Sequence, residues 1–321
     1  MPVFSADDER PHQPGADPWW QESVFLSWWD EGAGLGGVFR LGHEPNLGLA
    51  NVWLGLVSRD GRRFRFCQST VPLSDADRKG DHLSAHHGGQ RLCGTVPGDG
   101  TLRWHVDHPE VGAELVLEDF YPMTNLWLLR TGTSLADEFA PNHWEASGRI
   151  TGSVRIGDRR HGIDGFYHRD HSWGLRRWDT LRSHRWVAGT FGPDLAFAMV
   201  TWHSTDNELF TGGYVFRDDR VIRAEVVDPL PVLEADGITI RGGQARWDLD
   251  DGTRLSLHCE PVDGLIFSHR DVTESDTICR VTDGDGRVGF CDFEFSNNLR
   301  DGRSPVGIAI AGTLLDGLTQ R

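Results

Sequence analysis

Apolar and polar positions alternate with a period of two in short runs from one end of the chain to the other. Examples are "VFLSWW" (24–29), "NVWLGLV" (51–57), "ELVLEDF" (114–120), "NLWLLRT" (125–131), "AFAMVTW" (196–202), "GGYVFR" (212–217) and "RLSLHCE" (254–260). That period places successive side chains on opposite faces of an extended chain, so each run predicts a half-buried strand. Asp-Gly pairs separate many of them: Asp60-Gly61, Asp99-Gly100, Asp236-Gly237, Asp251-Gly252 and Asp285-Gly286. Glycine supplies the positive φ that a two-residue hairpin needs, so the chain reads as a meander of antiparallel hairpins. Helical periodicity is scarce: 72–84 suits a turn or two, and 309–318 a short cap. The fold class is therefore all-β, in barrels or sandwiches that remove or shield strand edges.

Length divides this pattern in two. At 321 residues the chain exceeds one ordinary core of about 150 residues. The strand pattern is interrupted at "SLADEFAPNHWEASG" (134–148). We expect an N-terminal β domain over 1–145 and a C-terminal one over 146–321, each of a size that closes one barrel.

Composition removes several function classes. A net charge of −16 offers no basic stripe for nucleic acid. No run reaches the ~20 apolar residues of a membrane span, and the acidic first residues lack the apolar core of a signal peptide, so a cytoplasmic protein is expected. The five cysteines form no C-x-x-C pair and read as reduced core residues. Thirteen tryptophans stand against three tyrosines; they either line a cavity for an apolar ligand or pack sheet faces.

Most motif-like stretches dissolve on inspection. "GAGLGG" (32–37) is not followed by a helix, so no dinucleotide site is expected there, only a bulged turn or a close backbone approach. His82, His86 and His87 lack a completing ligand frame, and His105 and His108 point to opposite faces of a strand, so no metal is expected. No G-x-S-x-G elbow is present. What remains is "GFYHRDHSWGLRRWD" (165–179). As a strand it sets Tyr167, Arg169, His171 and Trp173 on one face and Phe166, His168, Asp170 and Ser172 on the other. The residues allow either an ion-paired structural strand, with Asp170 bonded to Arg169, Arg176 or Arg177, or a chemical site.

At this point the sequence resembles a family. "GFYHRDHSWG", with "ESVFLSWWDEGAGLGGVFRLGHEPN" (22–46), is similar to the hydroxyneurosporene synthase or carotenoid hydratase-like group, and within it to a bacterial subgroup of uncharacterised function. The resemblance implies tandem lipocalin-like β-barrels with a hydrophobic site near their interface, and relatives that hydrate isoprenoid double bonds or cyclise polyenes. It carries over Asp170 and His171 as acid–base residues and Trp173 as a wall. Tyr167, Arg169, Trp178, Trp28 and Trp202 are the further substrate-binding candidates. A downstream Tyr-x-Asp pair of the hydratases has no counterpart; Asp194 is out of register and Asp206 lies beyond.

The chemistry expected is cofactor-free: a buried, protonated carboxylic acid protonates an alkene of a terpenoid or polyene, and indole faces stabilise the cation. Two alternatives stand beside it, a non-catalytic hydrophobic-ligand binding protein and a pericyclic cyclase acting by conformer preorganisation.

Overall fold

A computed structural model describes residues 3–88, 90–131, 139–235, 237–298 and 316–320. The stretch 309–315 of the expected C-terminal cap, Asp236 of one Asp-Gly pair and 134–138 of the expected linker lie outside them. The strands are β1 (Trp20–Asp30), β2 (Leu35–Glu44), β3 (Leu49–Ser58), β4 (Arg62–Pro72), β5 (Leu83–His87), β6 (Gln90–Pro97), β7 (Leu102–Asp107), β8 (Val111–Asp119), β9 (Thr124–Asn125), β10 (Arg130–Thr131), β11 (Asn142–Ile156), β12 (Arg159–Leu175), β13 (Leu181–Gly192), β14 (Leu195–Ser204), β15 (Leu209–Arg217), β16 (Arg220–Leu233), β17 (Ile240–Leu249), β18 (Arg254–His269), β19 (Val272–Asp283), β20 (Val288–Asn298) and β21 (Gly317–Gln320). The region around 72–84 contributes a single 3₁₀ turn, Asp75–Arg78.

Two antiparallel sheets result. The first runs β21-β4-β3-β2-β1-β12-β11-β8-β7-β6-β5 and curls as a half-barrel around a core that includes Leu26, Trp28, Phe39 and Trp104. The second runs β15-β14-β13-β20-β19-β18-β17-β16, and pairing of β15 with β16 closes it as an eight-stranded barrel. The chain is thus a tandem of lipocalin-like all-β units. Glycines 61, 100, 252 and 286, each after an aspartate, have φ between 67° and 83° at strand connections.

The 145/146 position expected for the domain division falls inside β11, which pairs with β8, β9 and β12 of the first sheet. After β12 the chain passes from the first sheet to the second between Leu175 and Leu181. "NLWLLRT" is not one strand: β9 joins the first sheet, β10 joins the second, and Leu126–Leu129 between them turn as a 3₁₀ helix. Leu126 and Trp127 are thereby driven into the layer between the sheets, where both are buried.

That layer explains a second departure. The runs in β1 and β3 were expected to be half-buried, yet β1 is buried at every position and β3 at every position but its first, as is β2 between them throughout. The first sheet faces its own core on one side and the closed barrel on the other, so its strands bury both faces, whereas peripheral strands such as β8 keep the alternation of buried and exposed residues. Between the sheets Trp53 of β3 stacks on Phe267 of β18 at 5.4 Å. Gly55 lies so close to Leu265 and Phe267 that a Cβ would meet them at 2.7 and 2.8 Å. Beside this contact Arg63 of β4 donates two hydrogen bonds to Asp263 of β18, Nε at 2.7 Å and Nη2 at 2.5 Å, with both side chains buried.

Removing one member of a buried charge pair strands the other, at about 3–5 kcal/mol. Asp263→Ala is expected to lower the unfolding free energy by that amount, measured by urea denaturation. A loss below about 1 kcal/mol, typical of a surface pair, would show that Arg63 is not held dry between the sheets.

Candidate functional site

One end of the inter-sheet layer is not filled. A small cavity of about 50 Å³, partly open toward solvent, lies between the half-barrel and the closed barrel. Its apolar walls are Phe25 of β1, Trp127 and Phe139 of the crossing segment, Trp186 of β13 and Val200 and Trp202 of β14. Its polar lining comes from both sheets: Arg40 of β2, His143 of β11, Asp170 and Arg176 from β12 and its end, His184 of β13, Glu274 of β19 and Glu294 of β20.

The barrel contributes the acids. On neighbouring strands β19 and β20, alternation turns Glu274 and Asp276, and Asp292 and Glu294, to the inner layer, with Asp276 directly opposite Glu294. All four are buried, from 0% exposed for Asp292 to 8% for Glu294. Burial raises the carboxyls of Asp276 and Asp292 well above the usual range, and their acidic neighbours add to it. Burial also pushes Glu274 up to about 7, with repulsion from Glu294 adding to the shift against the pull of His184, Arg40 and Arg176. Glu294 rises to about 7 by burial and by the charge of Asp170. Near neutral pH this face therefore carries protonated carboxylic acids.

Glu294 is tied to an imidazole. Its Oε1 is hydrogen-bonded to His184 Nε2, and His184 Nδ1 lies 2.6 Å from Ser296 Oγ. Burial pushes His184 down to about 4. With His184 kept neutral by burial, the contact is not an ion pair. The His184 ring stacks on Trp202 at 5.6 Å with 6° between planes.

The half-barrel contributes the cations. The Arg176 guanidinium stacks over Phe139 at 4.4 Å and Trp178 at 4.7 Å, and its Nη1 donates to Ser23 and Ser172 hydroxyls. Arg40 lies over Trp53 at 4.6 Å and donates to Asn51. Burial lowers both, Arg176 to about 10, where the nearby Arg40 charge contributes. Among the described residues Arg40 Nη2 and Arg176 Nε have no hydrogen-bond partner. Across from them His143 Nε2 lies 3.2 Å from Glu145 Oε1 and 3.9 Å from Asp170 Oδ2. Glu145 is held down at about 2: its complete burial opposes ionisation, but hydrogen bonds from His143 and His168 outweigh it.

The opposite face of β12 looks elsewhere. β1 and β12 pair without a register shift from Trp20↔Leu175 to Trp29↔Phe166, so no bulge brings Asp170 and His171 together. His171 points away from the cavity, its Nε2 3.1 Å from Glu22 Oε1 and its Nδ1 3.8 Å from Glu9 Oε2. Arg169 bonds Asp119 and Glu9, Tyr167 donates to Asp119 at 2.5 Å, and Trp173 stacks on His12 at 3.8 Å. Trp28 packs in the half-barrel core against Phe39. Of the residues singled out in the sequence, Asp170 and Trp202 line the cavity and Trp178 supports its arginines. Tyr167, Arg169, His171, Trp173 and Trp28 do not reach it.

The match of known families decides the chain's membership. DUF7064, a domain of unknown function, matches residues 5–299. The chain belongs to the DUF7064 family. No curated protein matches it by sequence. Among solved structures this DUF7064 chain is similar to a Nitrosomonas europaea protein described as an AttH candidate, at 11% identity and TM-score 0.63, covering 88% of this chain and 94% of that one. It is similar to CghA in complex with Sch210972, at 13% identity and TM-score 0.59, covering 88% and 89%. Kievitone hydratase from Nectria haematococca matches at 9% identity and TM-score 0.58, covering 93% and 94%. At these identities the likeness is one of fold.

The acids and arginines of the cavity went unremarked in the sequence for a physical reason. Acidic residues at period two, as in "TESDT" and "CDFEF", read as the solvent face of a strand. In β20 the alternate positions Cys291, Phe293 and Phe295 are apolar and in β19 Thr273, Ser275 and Thr277 are polar, so the local pattern carries no signal that the acidic face is buried.

A carboxyl whose pKa is raised in the folded state holds a proton that the unfolded chain has already lost, so stability falls as pH rises from the unfolded value near 4.5 to about 7. Glu274→Gln removes this penalty. Urea unfolding is expected to show the variant gaining on the native protein between pH 5 and pH 8 by on the order of 3 kcal/mol. Parallel pH profiles for the two proteins would mean that Glu274 ionises normally.

Proposed function

We propose that this protein is an acid–base enzyme that protonates a carbon–carbon double bond of a hydrophobic isoprenoid or polyene, followed by water addition, proton loss or ring closure. One observation carries the reading: Glu274 and Glu294 hold protons near neutral pH in a cavity walled by Trp127, Trp186 and Trp202. An alkene is a weak base, and its protonation needs an acid that burial keeps charged with its proton until the substrate arrives.

Glu294 is the acid. Its O–H bond breaks as a C–H bond forms at one alkene carbon, the π electrons supply that bond, and the positive charge develops on the other carbon. The resulting Glu294 carboxylate is then stabilised by Arg40 and Arg176. Indole faces attract the developing cation and present no lone pair that would trap it. Asp170, on the opposite sheet, takes the proton released when water adds or when a neighbouring C–H bond breaks. The proton returns to Glu294 through solvent at the open end, so nothing is consumed except water in a hydration. The unpartnered nitrogens of Arg40 and Arg176 suit an oxygen-bearing end of the substrate, which makes the ligand amphipathic rather than a pure hydrocarbon.

The Asp170-His171-x-Trp173-Gly174 stretch resembles the carotenoid hydratase-like signature, and a solved hydratase and CghA share the fold. In this reading Asp170 acts at the cavity, and His171 acts on the structure from the other face of its strand.

Turnover on a panel of prenyl alcohols and polyenes tests the proposal. Glu294→Gln is expected to lower kcat about 100-fold or more with little change in KM, and native kcat should fall as pH rises past about 7. Tight retention of a ligand without conversion would favour a carrier. Conversion that is indifferent to Glu294→Gln and to pH would favour a pericyclic catalyst acting by shape.

A further inference from the structure

The N-terminal segment before β1 lies across the end of the half-barrel and is fastened to β1 and β12 by a cluster the proposed chemistry does not use. His12 Nδ1 is 2.7 Å from Glu22 Oε1, and His171 Nε2 is 3.1 Å from the same oxygen. Among the described residues these three side chains form a group whose ligand atoms all lie within 4.8 Å of one another. We propose that His12, Glu22 and His171 bind one divalent transition-metal ion, zinc being the ion that suits two imidazoles and one carboxylate.

Bonds of about 2.0–2.2 Å to a shared ion set donor atoms roughly 3–3.6 Å apart, and each imidazole nitrogen already lies near that distance from Glu22 Oε1. The outer shell places a carboxylate near the second nitrogen of each ring, beyond hydrogen-bond distance. A ligating imidazole turns its second nitrogen to a carboxylate, which fixes the ring and its tautomer. Here His12 Nε2 faces Asp8 Oδ1 at 3.7 Å, and His171 Nδ1 faces Glu9 Oε2 at 3.8 Å. The second oxygen of Glu22 accepts from Arg78 Nη2 at 2.8 Å, and the His12 backbone N–H donates to Oε1 at 3.1 Å, which fixes the carboxylate between the two rings. Trp173 stacks on His12 within 14° of parallel and holds the plane of that ring.

Charge points the same way. Among the described residues, the carboxylates of Asp8, Glu9, Glu22 and Asp119 meet two guanidiniums in this network, those of Arg78 and Arg169. The surplus negative charge attracts a cation to this cluster, in competition with a proton on His171. Glu22 and His171 side chains are fully buried, while His12 is 21% exposed and gives the ion an entry path and a position for a water ligand. The ion pins the N-terminal strap to β1 and β12, and it lies across β12 from the cavity that Asp170 lines.

The test is calorimetric titration of zinc chloride into the full chain after treatment with EDTA, with thermal unfolding alongside. One equivalent should bind with micromolar or tighter affinity and raise Tm. His12→Ala, on the partly exposed strap, should leave the fold intact and weaken zinc by at least about tenfold. Cobalt(II) should give a visible d–d spectrum that the same variant loses. Absence of saturable zinc binding to the native chain, or equal affinity in His12→Ala, would overturn the assignment.

Discussion

Two curved sheets packed face to face exclude water from side chains that would ordinarily demand it, and the rest of this protein follows from that exclusion. Strands β1, β2, β13, β19 and β20 each carry charged or polar residues on the face turned to the partner sheet. The aromatic contacts around Trp53 and Phe267, together with the Arg63–Asp263 pair, hold the sheets close enough to keep that layer dry. Where the packing is complete, ions are paired. Where it opens into the cavity, arginines and acids face unfilled space.

Burial of this kind has opposite consequences for groups a few ångströms apart. Glu145, bonded by two histidines, stays ionised, whereas Glu274 and Glu294 keep protons into the neutral range. The difference lies in donors: a carboxylate that receives strong hydrogen bonds tolerates a low-dielectric setting, and one surrounded by other acids does not. A site that separates its carboxyls in this way contains both a proton donor and a stable anion, which is what acid–base chemistry on a neutral hydrophobic substrate needs.

The same strand serves two unrelated environments. On β12, Asp170 enters the cavity while its neighbour His171 anchors the N-terminal strap through Glu22 and Glu9, and β12 pairs with β1 and β11 in unbroken register. A substitution at either position is thus read through a different physical system: electrostatics of the cavity for Asp170, attachment of the strap for His171.

The chain's alternation determined a great deal on its own. It specified an all-β fold, antiparallel hairpins at the Asp-Gly turns, and the placement of Asp170 and His171 on opposite faces of one strand, because an extended backbone has a strict period of two. What it could not determine is what each face meets. Glu274 and Glu294 look like solvent-facing acids in "TESDT" and "CDFEF", and Arg40 like an ordinary strand cation, until closure of the barrel lays β19 and β20 against β2 and β12. His12 reaches Glu22 and His171 only because the strap crosses the end of the half-barrel. Periodicity fixes direction along a strand locally, but dielectric environment and charge partners come from segments more than a hundred residues apart. Those are properties of the assembled sheets.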